Sequence, residues 1–212
     1  MKILEVRPCR GHQVTVLTDE HTQFVIDKRT WQESPYGVDS FLSCEDMDAL
    51  CALSDRNRAK EKAVFLLSKR DYSKKELAHK LCREKGKYYA DRTESAAQAA
   101  AYMEELGYVN DERYARRLAR QYQTERLYSR RHILEKLCQK GISRELARQA
   151  ADELETEEAQ VALEFLYRKR YTVPVTREET DKTAAALARQ GFSGDDIRRA
   201  LAQFKEEVSN GD

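Results

Sequence analysis

The chain repeats itself. Tyr72-Ser73 returns as Tyr128-Ser129, Lys80-Leu81-Cys82 as Lys136-Leu137-Cys138, and Ala59, Ala63 and Leu66 are matched by Ala115, Ala119 and Tyr122, all 56 residues further on. A fainter third copy follows, with Leu187, Gly191 and Ser193 standing 50 residues after Leu137, Gly141 and Ser143. One offset shared by several separate features marks a structural unit used more than once, and weighs against a single bundle whose helices merely look alike. A unit of this size buries little apolar surface alone, so neighbouring copies are expected to stack.

Each copy reads as three helices. Ser73-Lys74-Lys75-Glu76 and Thr176-Arg177-Glu178-Glu179 have the capping-box pattern, and Ser193-Gly194-Asp195-Asp196 and Asp91-Arg92-Thr93-Glu94 are relatives of it. Ser43, with Asp46 three residues on, opens an earlier helix, and Asn110, Ser129, Ser143 and Thr156 are further N-cap candidates. Gly86, Gly107, Gly141 and Gly191 each follow an apolar-periodic run, where a helix end favours a positive φ. These marks divide 57–208 into nine helices of about 12–17 residues, with a shorter helix at 44–53 before them. The first forty residues differ. Ile3-Leu4-Glu5-Val6, the run from His12 to Thr18 and the run from Gln23 to Asp27 are β-like, with a turn at 19–22. A unit of two or three antiparallel strands needs helices to pack on, and Trp31 and Tyr36 can supply the contact. The expected fold class is mainly α: an elongated tandem array of three three-helix repeats (57–106, 107–154 and 155–208). A small N-terminal antiparallel β unit with its linker (1–40) and a connecting helix (41–56) precede the array.

Several functions are disfavoured at once. No apolar run approaches the length of a membrane span, and the charged start from Met1 to Arg7 is unlike a signal peptide, so a cytoplasmic protein is expected. The five cysteines (Cys9, Cys44, Cys51, Cys82 and Cys138) form no C-x-x-C pair and read as reduced, buried thiols rather than metal ligands. No glycine-rich phosphate loop is written, and His12, His21, His79 and His132 have no paired spacing. No catalytic site, cofactor or metal is expected.

Charge is the positive signal. Residues 56–89 hold twelve Lys and Arg against four acids, and residues 110–140 nine against four, whereas 143–212 hold eleven against fifteen. The middle of the chain is therefore basic and its last third acidic. Arg113, Arg116, Arg117 and Arg120 fall at i, i+3, i+4 and i+7, on one helix face opposite Tyr114, Ala115, Leu118 and Tyr122. Arg130, Arg131 and Lys136 continue the cluster, and Lys74 and Lys75 stand in the equivalent part of the first copy. Such a row suits phosphates, through Coulomb attraction and counterion release. It also suits an acidic protein surface or a solvated face with local pairs such as Glu112–Arg116. Tyr114 and Tyr122 read as core, while Tyr88 and Tyr89 are open between core and base stacking.

The segment from Leu106 to Ala115 (LGYVNDERYA), followed by a basic helix, Tyr128-Ser129 and Leu137-Cys138-Gln139-Lys140-Gly141-Ile142, resembles the RecX family of regulatory proteins, with Asn110 where the family signature has Asp. Ser73-x-x-Glu76-Leu77 also fits that family. The resemblance covers about 57–208. It implies a non-enzymatic modulator that binds the RecA–single-stranded DNA filament and most often inhibits RecA, without a cofactor. A monomer with weak, salt-sensitive affinity for single-stranded DNA and no membrane contact is also expected. The basic clusters, rather than the resemblance, offer the nine cations named above as interaction residues for the filament or for DNA. The alternatives are a sequence-independent nucleic-acid-binding protein and a helix-turn-helix DNA-binding regulator. The helix from Ser129 presents mostly Arg and Lys, which hold phosphates better than they distinguish bases.

Overall fold

A computed structural model describes residues 1–9, 11–83 and 92–209, organised in two compact units, Met1–Asn110 and Asp111–Asp212. Gly86, Tyr88, Tyr89 and Asp91, singled out above, lie outside the described residues, as do Lys85 and Lys87 of the first basic segment.

The first unit begins with a three-stranded antiparallel meander, β1 (Ile3–Cys9), β2 (Gln13–Thr18) and β3 (Gln23–Asp27), in spatial order β1-β2-β3. Register is set by burial. Val14, Val16 and Thr18 point to one face, Val14 pairs with Ile26 and Val16 with Phe24, and all five are buried. Ile3, Leu42, Leu50 and Cys51 complete this core, with Trp31 and Tyr36 packed on its edge as expected. Burial pushes the Cys51 thiol up to about 12, so it stays protonated.

A short helix absent from the sequence reading, α1 (Lys28–Glu33), follows β3 directly, and Asp27 caps it by accepting from the Thr30 N–H at 2.8 Å. Next, α2 runs unbroken from Cys44 to Leu67, where the sequence reading ends one helix at 53 and starts another at 57. Ser54 and Asp55 suggest that break because both residue types favour caps. Here Ser54 instead accepts the buried Asp27 N–H at 2.8 Å through Oγ, so the pair serves the helix–sheet contact and the helix continues. The C-terminal half of α2 packs with α3 (Lys74–Cys82) and α4 (Arg92–Glu105) around Ala59, Ala63, Leu77, Leu81, Ala99 and Met103.

The second unit holds two further three-helix groups. The first comprises α5 (Asp111–Gln121), α6 (Arg130–Gln139) and α7 (Arg144–Asp152), around Tyr114, Ala115, Ile133, Leu137 and Ala147. The second comprises α8 (Glu158–Arg168), α9 (Arg177–Arg189) and α10 (Gly194–Ser209), around Leu163, Leu166, Leu187, Ala200 and Phe204. Each of the three helical groups thus has its own core. Ser43, Ser73, Ser129, Ser143, Thr176 and Ser193 accept first-turn N–H groups as read, and Thr176 and Glu179 make the full reciprocal box. Glu157, not Thr156, is the N-cap residue of α8.

After α5 the chain makes a π-helical turn, Tyr122–Arg126, and then Leu127, buried with φ of 55°. Arg168 from α8 braces this turn, donating to the Thr124 carbonyl at 2.8 Å. Four cysteines depart from expectation: Cys9 and Cys44 are exposed, Cys82 and Cys138 are only half-buried at the ends of α3 and α6, and Cys51 is the one that is buried. Neither Cys9, near the tip of the β1–β2 hairpin, nor Cys44, in the first turn of α2, points into a core.

Candidate functional site

Helix α5 separates charge from apolar surface along its whole length. Tyr114, Ala115, Leu118 and Ala119 are buried, and Arg113, Arg117 and Arg120 are exposed at i, i+4 and i+7. The Arg117 guanidinium carbon lies 5.6 Å from the Tyr114 ring centroid. Arg116, the fourth member of the row, is half-buried. It pairs with Glu112 at 2.7 Å and with Glu153 at 2.8 Å, so it ties α5 to the residue that ends α7. The hydrogen bond from Arg116, then that from Gln149, holds the Glu153 carboxyl below the usual carboxylate range.

The cations of α6 divide in the same way. The Arg130 backbone N–H donates to Glu158 Oε1 at 3.0 Å, and its guanidinium donates to the carbonyls of Leu154 and Thr156, the latter at 3.2 Å. Arg130 therefore braces the α7–α8 connection. Arg131 is exposed, 3.6 Å from Glu135, and Lys136 is half-buried with Nζ 3.4 Å from Gln139 Oε1. In the first unit, Lys74 pairs with Glu104 at 2.6 Å and Lys75 is exposed.

The structure thus brings Arg113, Arg117 and Arg120 onto one open face and engages Arg116 and Arg130 within the chain. It also adds two cations that sequence reasoning missed. Arg144 and Arg148, one turn apart and exposed on α7, line an open groove of about 840 Å³ between α6 and α7, together with Arg130, Arg131, Cys138 and Asp152. Their i, i+4 spacing was visible, but they sit at the head of the acidic segment 143–212, whose overall balance hid them. A guanidinium-lined groove beside an exposed arginine row can hold phosphates or carboxylates. Among the described residues no cluster of three or more His, Cys, Asp and Glu is placed to hold a metal ion, and no helix is long and apolar enough to cross a membrane.

Comparison with known proteins bears on the same segment. Residues 110–150 match the family model of the second three-helix domain of RecX, and residues 156–201 match that of the third. The regulatory protein RecX of Stenotrophomonas maltophilia strain R551-3 is 34% identical over 142 residues, which span 66% of this chain and 83% of that protein. The chain belongs to the RecX family. A second relative, RecX of Salmonella paratyphi A strain ATCC 9150, is 30% identical over 70% of this chain and 93% of its own length. Two RecX crystal structures share the fold. One has a TM-score of 0.67 at 17% identity, covering 94% of this chain and 98% of its own. The other, from Lactobacillus salivarius, scores 0.61 at 20% identity over 72% of this chain and 98% of its own. The RecX second domain as matched contains the exposed α5 row and most of the α6–α7 groove. The third domain as matched holds eight Lys and Arg against eight acids, so it lacks the basic excess of the second.

Proposed function

We propose that this RecX-family chain regulates the RecA recombinase by binding its filament on single-stranded DNA, lowering RecA's ATPase, strand-exchange and coprotease activities during DNA repair and the SOS response. The observation that supports this most is the exposed row Arg113, Arg117 and Arg120 within the matched second domain. A filament presents phosphates and a repeating protein surface together. Exposed guanidiniums can serve both, at little cost to stability, because their stems already lie along the helix. In the second unit Arg131 adds to the exposed cations, and Arg116, Arg130 and Lys136 shape the surface through contacts within the chain; in the first unit Lys75 is exposed and Lys74 pairs with Glu104. The acidic third repeat faces RecA or solvent rather than DNA, because phosphates repel it. The protein acts as a cytoplasmic monomer, by occupancy and without chemistry of its own.

The same arginines would serve a sequence-independent nucleic-acid-binding protein with no protein target. Co-sedimentation with RecA filaments separates the two readings. The chain should pellet with RecA on single-stranded DNA more strongly than with the same DNA alone, and the double variant Arg113→Glu/Arg117→Glu should stay in the supernatant. Equal pelleting with and without RecA would reject the reading.

A further inference from the structure

Helix α2 exposes an aromatic ring between two ammonium groups. Phe65 is 54% exposed, with Lys62 Nζ 5.2 Å and Lys69 Nζ 5.4 Å from its ring centroid. Its neighbour Val64 is equally exposed, although Ala63 and Leu66 beside them are buried. The pairing recurs where α2 meets α4: Lys60 Nζ lies 4.0 Å over the ring of Tyr102, itself part-exposed. A single exposed Phe on a soluble protein is ordinary. An exposed Phe flanked by cations three residues before it and four after it combines the two elements that bind unpaired nucleic acid: a π-face for a base and positive charge for the phosphates around it.

We infer that Phe65 is a stacking platform for one base of a single-stranded nucleic acid, with Lys62 and Lys69 reaching the phosphates on either side. Phe65 belongs to the first unit, and the arginine row to the second. It deepens the proposed function by giving the DNA strand a contact of its own, yet it requires no RecA. Stacking on a Phe ring is indifferent to base identity, so the site reads single-strandedness rather than sequence. Glu61, one turn before Phe65, is the carboxylate closest to it along this helix face, and it limits the affinity.

The test uses the full-length protein and two labelled strands of equal length and charge, one of oligothymidine and one abasic, with binding read by fluorescence anisotropy. The wild type should prefer oligothymidine by about tenfold. Phe65→Ala should bind both strands as the wild type binds the abasic one, while Phe65→Trp keeps the preference. Lys69→Gln should weaken both strands alike and lower the salt slope by about 0.7, and Glu61→Gln should tighten both. Circular dichroism melts confirm that Phe65→Ala is folded. An unchanged preference in Phe65→Ala, or one fully kept by Phe65→Leu, overturns the platform. Unaltered DNA binding in Phe65→Ala with weaker RecA co-sedimentation also overturns it, and assigns the patch to a protein contact. Because no RecA is present in the anisotropy assay, failure here leaves the filament reading standing.

Discussion

Gly191 lies directly against Ser129. A Cβ at position 191 would overlap Ser129 Oγ and come within 3.0 Å of His132 Cβ, and Gly191 itself has a φ of 91°. The adjacent Gln190 carbonyl accepts from the Ser129 N–H at 3.2 Å and lies 3.3 Å from His132 Nδ1. The end of α9 is therefore seated on the start of α6, and the absence of a side chain at 191 makes the contact possible. Gly191→Ala should cost about 2–4 kcal/mol, from backbone strain and overlap together. Gly107→Ala has a similar positive φ with open space around its Cβ, and should cost only about 1–2 kcal/mol. Urea denaturation of the two variants provides the comparison.

Arg116 and Arg117 are neighbours with opposite expected phenotypes. Arg116→Ala breaks the bridges to Glu112 and Glu153 and should lower the melting temperature. Arg117→Ala should leave melting almost unchanged and weaken filament binding. Thermal melts combined with co-sedimentation separate these effects; similar loss of stability in both would mean that the α5 face is structural throughout.

Two glutamates give the pH dependence opposite signs. Burial pushes the Glu158 carboxyl up, against the pull of the Arg130 N–H and charge. Its contribution is thus fully present when it is protonated, and is lost as pH rises through its raised value. Glu179 is held below the usual range by the N–H groups of Thr176 and then Val175, so its contribution is present at neutral pH and is lost as pH falls through its depressed value. Glu158→Gln should therefore gain on the wild type as pH rises through the weakly acid range, and Glu179→Gln should lose. Chemical denaturation between acid and neutral pH reads both slopes.

The β unit is anchored to α2 by a buried polar contact. Ser54 accepts the Asp27 N–H, Asp27 caps Thr30, and Asn57 donates to Thr30 Oγ1 at 3.0 Å. Ser54→Ala should cost about 1–3 kcal/mol, because it leaves a buried N–H unpaired. The single tryptophan, Trp31, sits at this contact and its fluorescence should report the loss.

The three helical cores were legible because each is encoded locally. Ser73, Ser129 and Ser143 announce helix starts, and Ala115 with Leu118 marks a buried stripe. What escaped depends on residues far apart in the chain. The continuity of α2 through Ser54 is settled by Asp27, and the short α1 by the same residue. The π-helical turn before Leu127 is braced by Arg168 on α8, forty-four residues after Thr124. The site divides likewise. The spacing of Arg113, Arg117 and Arg120 gave their common face. That Arg116 and Arg130 would be engaged by Glu153, Leu154 and Thr156 could not be read from their own helices, and the α7 cations Arg144 and Arg148 were masked by the acidic balance of the segment they open.

The most direct test of the central claim is RecA's DNA-dependent ATPase, titrated with this protein at substoichiometric ratios on preformed filaments. The wild type should lower the steady-state rate well below one chain per RecA, and Arg113→Glu/Arg117→Glu should leave it unchanged at the same melting temperature. An ATPase rate untouched by the wild type at every ratio, or inhibited equally by the charge-reversed variant, would contradict the account.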